Sequence, residues 1–293
     1  MRIRELGLLA FLLFAALTGA AIAQESPYFV TYDHHMEEPG NLEVATSTTI
    51  GAPRSGQSAY FAPYAEIEYG VTGQWTSELY LEGQGTKGDS GLFTGWRWEN
   101  RYRPLKREYA INPVLYLEYE SINEASRIQK EIVGNSSDFS EPIAELRNEH
   151  AHELEAKLIL SSMVKDWNIA ENFIVEKNLS ESEGFEFGYA FGAYRPLASL
   201  ASGTKCRFCR ENFTAGFEMY GGLGTTNGFG LHDTSHYFAP ILSWQVSDNA
   251  TLRFSPGIGL TEGSSPVLFR FSYAYEIRGF GRKMAELFRG GPR

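Results

Sequence analysis

Residues 266–277 read PVLFRFSYAYEI, and their bulky apolar side chains return at every second position. Val267, Phe269, Phe271, Tyr273, Tyr275 and Ile277 share one face, while Leu268, Arg270, Ser272, Ala274 and Glu276 share the other. Successive Cβ atoms alternate across a strand, whereas a helix would scatter these rings around its circumference. The stretch therefore reads as a strand with one bulky face and one face of small and charged groups. Residues 184–194, GFEFGYAFGAY, obey the same rule: Phe185, Phe187, Tyr189, Phe191 and Ala193 alternate with Glu186, Gly188, Ala190 and Gly192.

The pattern extends along the chain. It predicts strands near 41–51, 60–71, 75–84, 91–102, 112–121, 152–162, 166–178, 184–194, 211–221, 236–246, 250–260 and 266–277. Segment 166–178 fits least well, because Glu171 falls on its apolar face. The strands are longer than the usual five or six residues and match the length a tilted strand needs to cross a bilayer. VTGQW, MVKDW and VSDNA mark short turns after the second, sixth and tenth strands. The odd-numbered connections include the long segments 122–151 and 222–235. Within 122–151, EASRIQKEIVG (124–134) and the spacing of Ile143 and Leu146 suggest a helix in the loop, with a strand from 152. The fourth connection, PLKREY, is of middling length, and the eighth, 195–210, is long.

The first 23 residues read as a secretory signal peptide: Arg2 and Arg4, an apolar run from Leu8 to Leu17, and the small-x-small site Ala21-Ile22-Ala23. Cleavage there would leave a chain beginning at Gln24. Removing Arg2, Arg4 and Glu5, a net +1, takes the formal charge from −10 to −11, which argues against nucleic acid as a partner. After residue 23 no uncharged apolar run is long enough for a transmembrane helix, so a membrane-spanning form must be a closed barrel. A soluble sandwich also has one bulky and one polar face. Here, however, the polar faces carry Gly, Ala and Glu with few Lys, and Trp75, Trp96, Trp98, Trp167 and Trp244 lie in or beside predicted strands.

Taken together, residues 41–279 resemble the outer-membrane β-barrel proteins of Gram-negative bacteria, of the porin-like or transporter type with about twelve strands. The resemblance implies an all-β fold: a single closed antiparallel transmembrane barrel with short periplasmic turns and longer outer loops. It implies location in the outer membrane, lipid against the bulky face, and insertion by the barrel-assembly machinery. Residues 24–40 become a periplasmic N-terminal segment and 280–293 a periplasmic C-terminal tail. Such barrels commonly end on an aromatic residue; here the last strand ends near Ile277 and Phe280, and GRKMAELFRGGPR follows, which reads as a short amphipathic helix.

If the bulky face meets lipid, the other face lines the lumen. It carries Glu66, Glu68, Glu78, Glu82, Glu99, Glu118, Glu120, Glu153, Glu155, Glu186, Glu218 and Glu276, against Arg97, Arg101, Lys157, Arg253 and Arg270. Two readings stand. In one, a wet net-acidic pore passes or binds small polar or cationic solutes. In the other, Glu–Arg pairs fill the interior and the barrel has a structural or interaction role through its long outer loop.

A third reading, a lipid-modifying enzyme, would use GLHDTSHYF with His232, Asp233, Ser235 and His236. The sequence has no G-x-S-x-G elbow, and no catalytic residue is assigned. DHHMEE (33–38) offers metal-ligand types, but adjacent histidines in an extended chain point to opposite sides. The segment then reads as a polar stretch closing the periplasmic mouth, and His150 and His152 are too few for a site. No metal or cofactor is expected.

Cys206 and Cys209, in TKCRFCREN, are the only cysteines. A disulfide, half a zinc site or a redox pair all fit the spacing. If the even connections face the oxidising periplasm, a disulfide is the leading expectation.

Overall fold

The computed structural model describes residues 26–54, 58–89, 91–128, 143–182, 184–198, 206–231 and 233–288. The predicted signal peptide lies outside them. Twelve long strands follow in chain order: β1 (Leu42–Ala52), β2 (Tyr60–Thr72), β3 (Trp75–Thr86), β4 (Gly91–Tyr102), β5 (Asn112–Asn123), β6 (His150–Val164), β7 (Trp167–Asn178), β8 (Glu186–Pro196), β9 (Phe213–Thr225), β10 (His236–Ser247), β11 (Ala250–Gly259) and β12 (Val267–Ile277). A two-residue strand, Gly228–Phe229, folds back on the end of β9.

Every strand pairs antiparallel with its sequence neighbours, and β1 pairs with β12 from Leu42↔Ile277 to Ala52↔Val267. The sheet therefore closes on itself and leaves no long edge. Alternation decides which face turns inward. Leu79, Leu81, Leu115, Leu117, Phe254 and Phe271 are exposed on the outer surface, whereas Glu78, Glu99, Glu118 and Glu218 are fully buried inside. A water-soluble sheet would show the reverse, and this arrangement suits a barrel in lipid. Glu171 is exposed among Trp167, Ile169 and Phe173 on the outer face of β7, so the strand keeps its register despite the charge.

The two rims differ. Two-residue turns at 73–74, 165–166 and 248–249 lie on one rim, with Trp75, Tyr102 and Trp167 exposed beside it. Residues 124–128 and 143–149 lie on the opposite rim, near the exposed Phe61 and Phe93. These are called the short-turn and long-loop rims below. In the long connection residues 124–128 form turns and bends rather than the suggested helix, and 129–134 lie outside the described residues. A short helix α1 (Ile143–Leu146) precedes β6. After β12 the chain forms helix α2 (Phe280–Phe288) with an amphipathic pattern, pinned where the Gly281 amide donates to the Gly40 carbonyl (2.9 Å).

Cys206 and Cys209 are joined as a disulfide with Cα atoms 5.3 Å apart. It closes a turn on the short-turn rim. There the Asn212 side-chain amide donates to the Cys206 carbonyl (2.6 Å), Trp244 Nε1 donates to the Arg207 carbonyl (2.9 Å), and Phe208 stacks on Trp244 at 4.8 Å.

The segment expected at the periplasmic mouth divides in two. Residues 26–32 fold up into the barrel against opposite walls, and residues 33–41 run back along the short-turn rim to β1.

Candidate functional site

The interior is built from two parts, an inserted segment and the wall that faces it. An extended segment inside a closed barrel has no strand to pair with, so side chains must satisfy its backbone groups. Glu218 does most of this. Its carboxylate accepts the amides of Phe29 (3.1 Å), Val30 (2.9 Å) and Thr31 (2.7 Å). Asn172 imitates a neighbouring strand, accepting from the Tyr32 amide (2.7 Å) and donating to the Tyr32 carbonyl (2.8 Å). Arg253 donates to the carbonyls of Ser26 (3.2 Å) and Tyr28 (3.3 Å). Closer to the rim, the His34 amide donates to Ser161 Oγ (3.0 Å), and Arg103 donates to the His34 carbonyl (3.2 Å). At the exit, Asn41 Nδ2 donates to Glu276 (2.5 Å), joining the segment to the end of β12.

Small residues make room for this plug. The Tyr28 ring occupies the space a side chain at Gly192 would need and meets Tyr194 edge-on at 5.1 Å. Val30 inserts into a buried apolar cluster of Tyr60, Ala62, Ile174, Ala190, Tyr220, Tyr237, Ala239 and Leu268. Ile128, from the long connection, packs on the same cluster. Toward the long-loop rim the lumen is thus narrowed by apolar packing of Val30 and Ile128 against β2, β7 to β10 and β12.

The wall from β2 to β7 is acidic. Glu66, Glu68, Glu78, Glu82, Glu99, Glu118, Glu120, Glu155 and Glu176 are buried there and Glu153 is half-buried. Their cationic companions on these strands are Arg97, Arg101 and Lys157. Arg97 bonds Glu82 (2.6 Å) and Glu118 (3.1 Å) while lying over the Tyr80 ring. Arg101 bonds Glu68 (2.6 Å), Glu99 (3.1 Å) and Glu78. Lys157 bonds Glu155 (2.8 Å) and sits over Tyr116 at 4.0 Å. Tyr32 of the plug closes the network by donating to Glu99 (2.8 Å). A cavity of about 230 Å³ runs between the plug and this wall, reaching the short-turn rim at Asp248 and Asn249.

The opposite wall, β8 to β12, presents Gly192, Ala190, Ala239, Ser243, Ser255, Ser272 and Ala274 to the interior, with Arg253 and Arg270 as its cations. Arg270 donates to the Tyr220 hydroxyl. Glu218 faces the plug, Glu186 stands half-buried at the long-loop rim, and Glu276 stands half-buried at the short-turn rim.

The sequence reading did not pick out Glu176, Asn168, Asn172 and Ser161 as lining residues, nor Tyr28 and Tyr32 of the plug. The first three share the inward parity of β7, and that parity was the available signal. The plug has no periodicity to reveal it.

The two adjacent histidines do not splay apart as expected. Their rings stack at 4.5 Å, because the segment bends at the rim and the His35 amide and Nδ1 both engage Asp33 Oδ1 (2.8 and 3.0 Å). Burial would raise the Asp33 carboxyl, but the His35 ring and its hydrogen bonds hold it down at about 2. The Asp33 carboxylate in turn raises His35, and burial lowers His34. Three acidic groupings deeper in the barrel also bring ligand atoms within 4.8 Å: Glu43–Glu66–Glu68, Glu118–Glu120–Glu155 and Glu120–Glu153–Glu176.

Among the described residues, those of the third reading do not assemble into a nucleophile and its base. The Ser235 hydroxyl donates to the Gly263 carbonyl (2.9 Å). The His236 ring contacts Thr234 Oγ1 (2.7 Å) and the Tyr189 hydroxyl (3.1 Å) instead. His232 lies outside the described residues. His150 and His152 are exposed, and His152 Nδ1 meets the Tyr119 hydroxyl (2.9 Å).

No family model matches the sequence, and no curated protein matches it. Solved structures do. The COG4313 outer membrane channel from Pseudomonas putida F1 aligns at a TM-score of 0.56 and 9% identity, over 85% of this chain and 100% of that one. KdgM porin aligns at 0.50 and 11% identity, over 80% of this chain and 98% of that one. Likeness at such identities lies in the fold, and the fold of this chain is that of the outer-membrane β-barrels.

Proposed function

We propose that the protein is an outer-membrane channel that admits small cationic or neutral polar solutes along its acidic wall, with residues 26–41 as a resident constriction. The carrying observation is the acidic wall itself: carboxylates from β2 to β7 outnumber Arg97, Arg101 and Lys157 and border a cavity open to the short-turn rim. Buried carboxylates are costly unless paired or hydrated, and a hydrated acidic wall favours cations over anions. In the outer membrane the short-turn rim is the periplasmic one, so the plug would enter the lumen from the periplasmic side. The structures it resembles are described as channels and porins, which supports passage rather than catalysis.

Liposome swelling tests this reading. Vesicles carrying the protein should swell faster with small amines and neutral sugars than with anionic sugars of equal size. Equal rates for all solutes would remove the acidic wall's role. No swelling, with insertion shown by heat-modifiable migration, would favour the second reading, a closed barrel. The apolar seal of Val30 and Ile128 against Tyr60, Tyr220 and Tyr237 is the feature that would support it.

A further inference from the structure

Where the plug leaves the lumen, two buried nitrogens have no hydrogen-bond partner among the described residues, Nε of the cationic Arg103 and Nε2 of His34; of these only the imidazole nitrogen can be a ligand, and the His34 side chain is 0% exposed. This Nε2 faces Glu108 Oε1 at 3.7 Å, too far for a hydrogen bond. His34, His35 and Glu108 each bring one ligand atom to within 4.8 Å of the others. We propose that these three residues bind one divalent transition-metal ion of the zinc class, tying the plug to the turn between β4 and β5.

The chemistry of the neighbours suits this assignment. Metal-ligating histidines usually engage their second ring nitrogen with an oxygen partner, which fixes the tautomer and aims the free nitrogen. Both rings meet that condition. His34 Nδ1 contacts Ser161 Oγ at 2.5 Å, and His35 Nδ1 contacts the Asp33 carboxylate at 3.0 Å. Asp33 is itself held by the Tyr194 hydroxyl at 3.1 Å. With each Nδ1 donating to its oxygen partner, each Nε2 is left as the lone-pair donor. Two imidazoles and a carboxylate form a donor set suited to zinc, with a fourth position for water.

The His34–Glu108 distance is near that required, and the pairs with His35 lie within 4.8 Å. Ligand atoms bound to one tetrahedral zinc stand about 3.3 Å apart, so the 3.7 Å separation of His34 and Glu108 needs only a small inward movement. Glu108 can supply it, because its side chain is 57% exposed on the turn. Arg103 is the opposing charge, bonded to the His34 carbonyl, and the carboxylates of Asp33 and Glu108 outweigh it. Met36 packs instead against Val114, Tyr116 and Ile159, so the donor set lacks the thioether that a soft cuprous site would use. The site does not depend on whether the lumen conducts.

The test is titration of Zn²⁺ into the full chain, purified in detergent without a polyhistidine tag. Calorimetry should show one Zn²⁺ per chain, weakened at least tenfold in His35→Ala and in Glu108→Gln, and not displaced by excess Ca²⁺. Heat-modifiable migration checks that each variant keeps its barrel. With Cu²⁺ as a probe, the electron paramagnetic resonance spectrum should carry splitting from two imidazole nitrogens, falling to one in His35→Ala. Absence of Zn²⁺ uptake would overturn the site. So would uptake that both variants leave unchanged, or displacement by Ca²⁺, since either would assign the ion to the lumen carboxylates.

Discussion

The two halves of the lumen wall do different work with the same strand geometry. From β2 to β7 the inward positions are filled with Glu, and three cations thread between them. From β8 to β12 they are filled with Gly, Ala, Ser and Tyr, and the plug lies against them. The acidic half is held by charge pairing and leaves a cavity. The small-residue half is held by fit, and its Thr251, Arg253, Arg270 and Ala274 line the far side of the same cavity. Both patterns satisfy the alternation that closes the barrel, so barrel formation and lumen chemistry are separately adjustable.

The largest expected effect is on the acidic half. Arg101 joins Glu68, Glu78 and Glu99, and Arg101→Met would leave three buried carboxylates without that partner. Removing one member of a buried ionic network costs about 3–5 kcal/mol. The heat-modified transition on unheated gels should drop clearly in temperature. A variant as stable as the parent would show that the wall is hydrated rather than held by pairing.

On the other half, Glu218→Ala removes the acceptor of three plug amides. A hydrogen bond to a charged group contributes about 1.5–3 kcal/mol, so losing even the equivalent of one such bond, about 3 kcal/mol of plug docking, raises its open population by roughly two decades. A cysteine at Thr31 should then label much faster with a polar maleimide, while barrel melting changes less than in Arg101→Met. Gly192→Leu is a milder version. It forces the Tyr28 ring aside at an overpacking cost of about 1–3 kcal/mol, and should raise the same labelling rate by a smaller factor. If neither change alters labelling, the plug is held by something other than the small-residue wall.

How much of this could be read from the chain differs between the halves. The strands were legible because lipid on one side and a polar lumen on the other force a strict period of two. Even β7 keeps it, with Glu171 outward. The end of β9 was not legible: the pattern stops near 221, while the strand runs to Thr225 through GGLG, where Leu223 is the one side chain large enough to show a face and a single residue makes no period. The acidic wall was read from parity alone; of the residues named from it, Glu78, Glu82, Glu99, Glu118, Glu120 and Glu218 are buried, and Glu153, Glu186 and Glu276 are half-buried. The plug did not follow. Its backbone is satisfied by distant side chains such as Glu218 and Asn172, which no local pattern encodes. The run of small inward residues in β8, Gly188, Ala190 and Gly192, was the available hint that something fills the space beside it. The stacking of His34 on His35 depended on the bend at Asp33 and was equally invisible.

The smallest effect belongs again to the acidic half. Glu120→Gln removes one charge among several. A unit charge about 8 Å from a passing ion contributes ~0.5 kcal/mol in water-like surroundings, so the cation-to-anion permeability ratio should fall about two-fold, read from the reversal potential.

That potential is also the most direct test of the whole. In planar bilayers under a KCl gradient, the parent protein should pass current with the sign of cation selectivity, and Glu218→Ala should pass more with the same sign. Anion selectivity in either protein, or inserted barrels of both that carry no current at all, would contradict an acidic lumen gated by its own N-terminal segment.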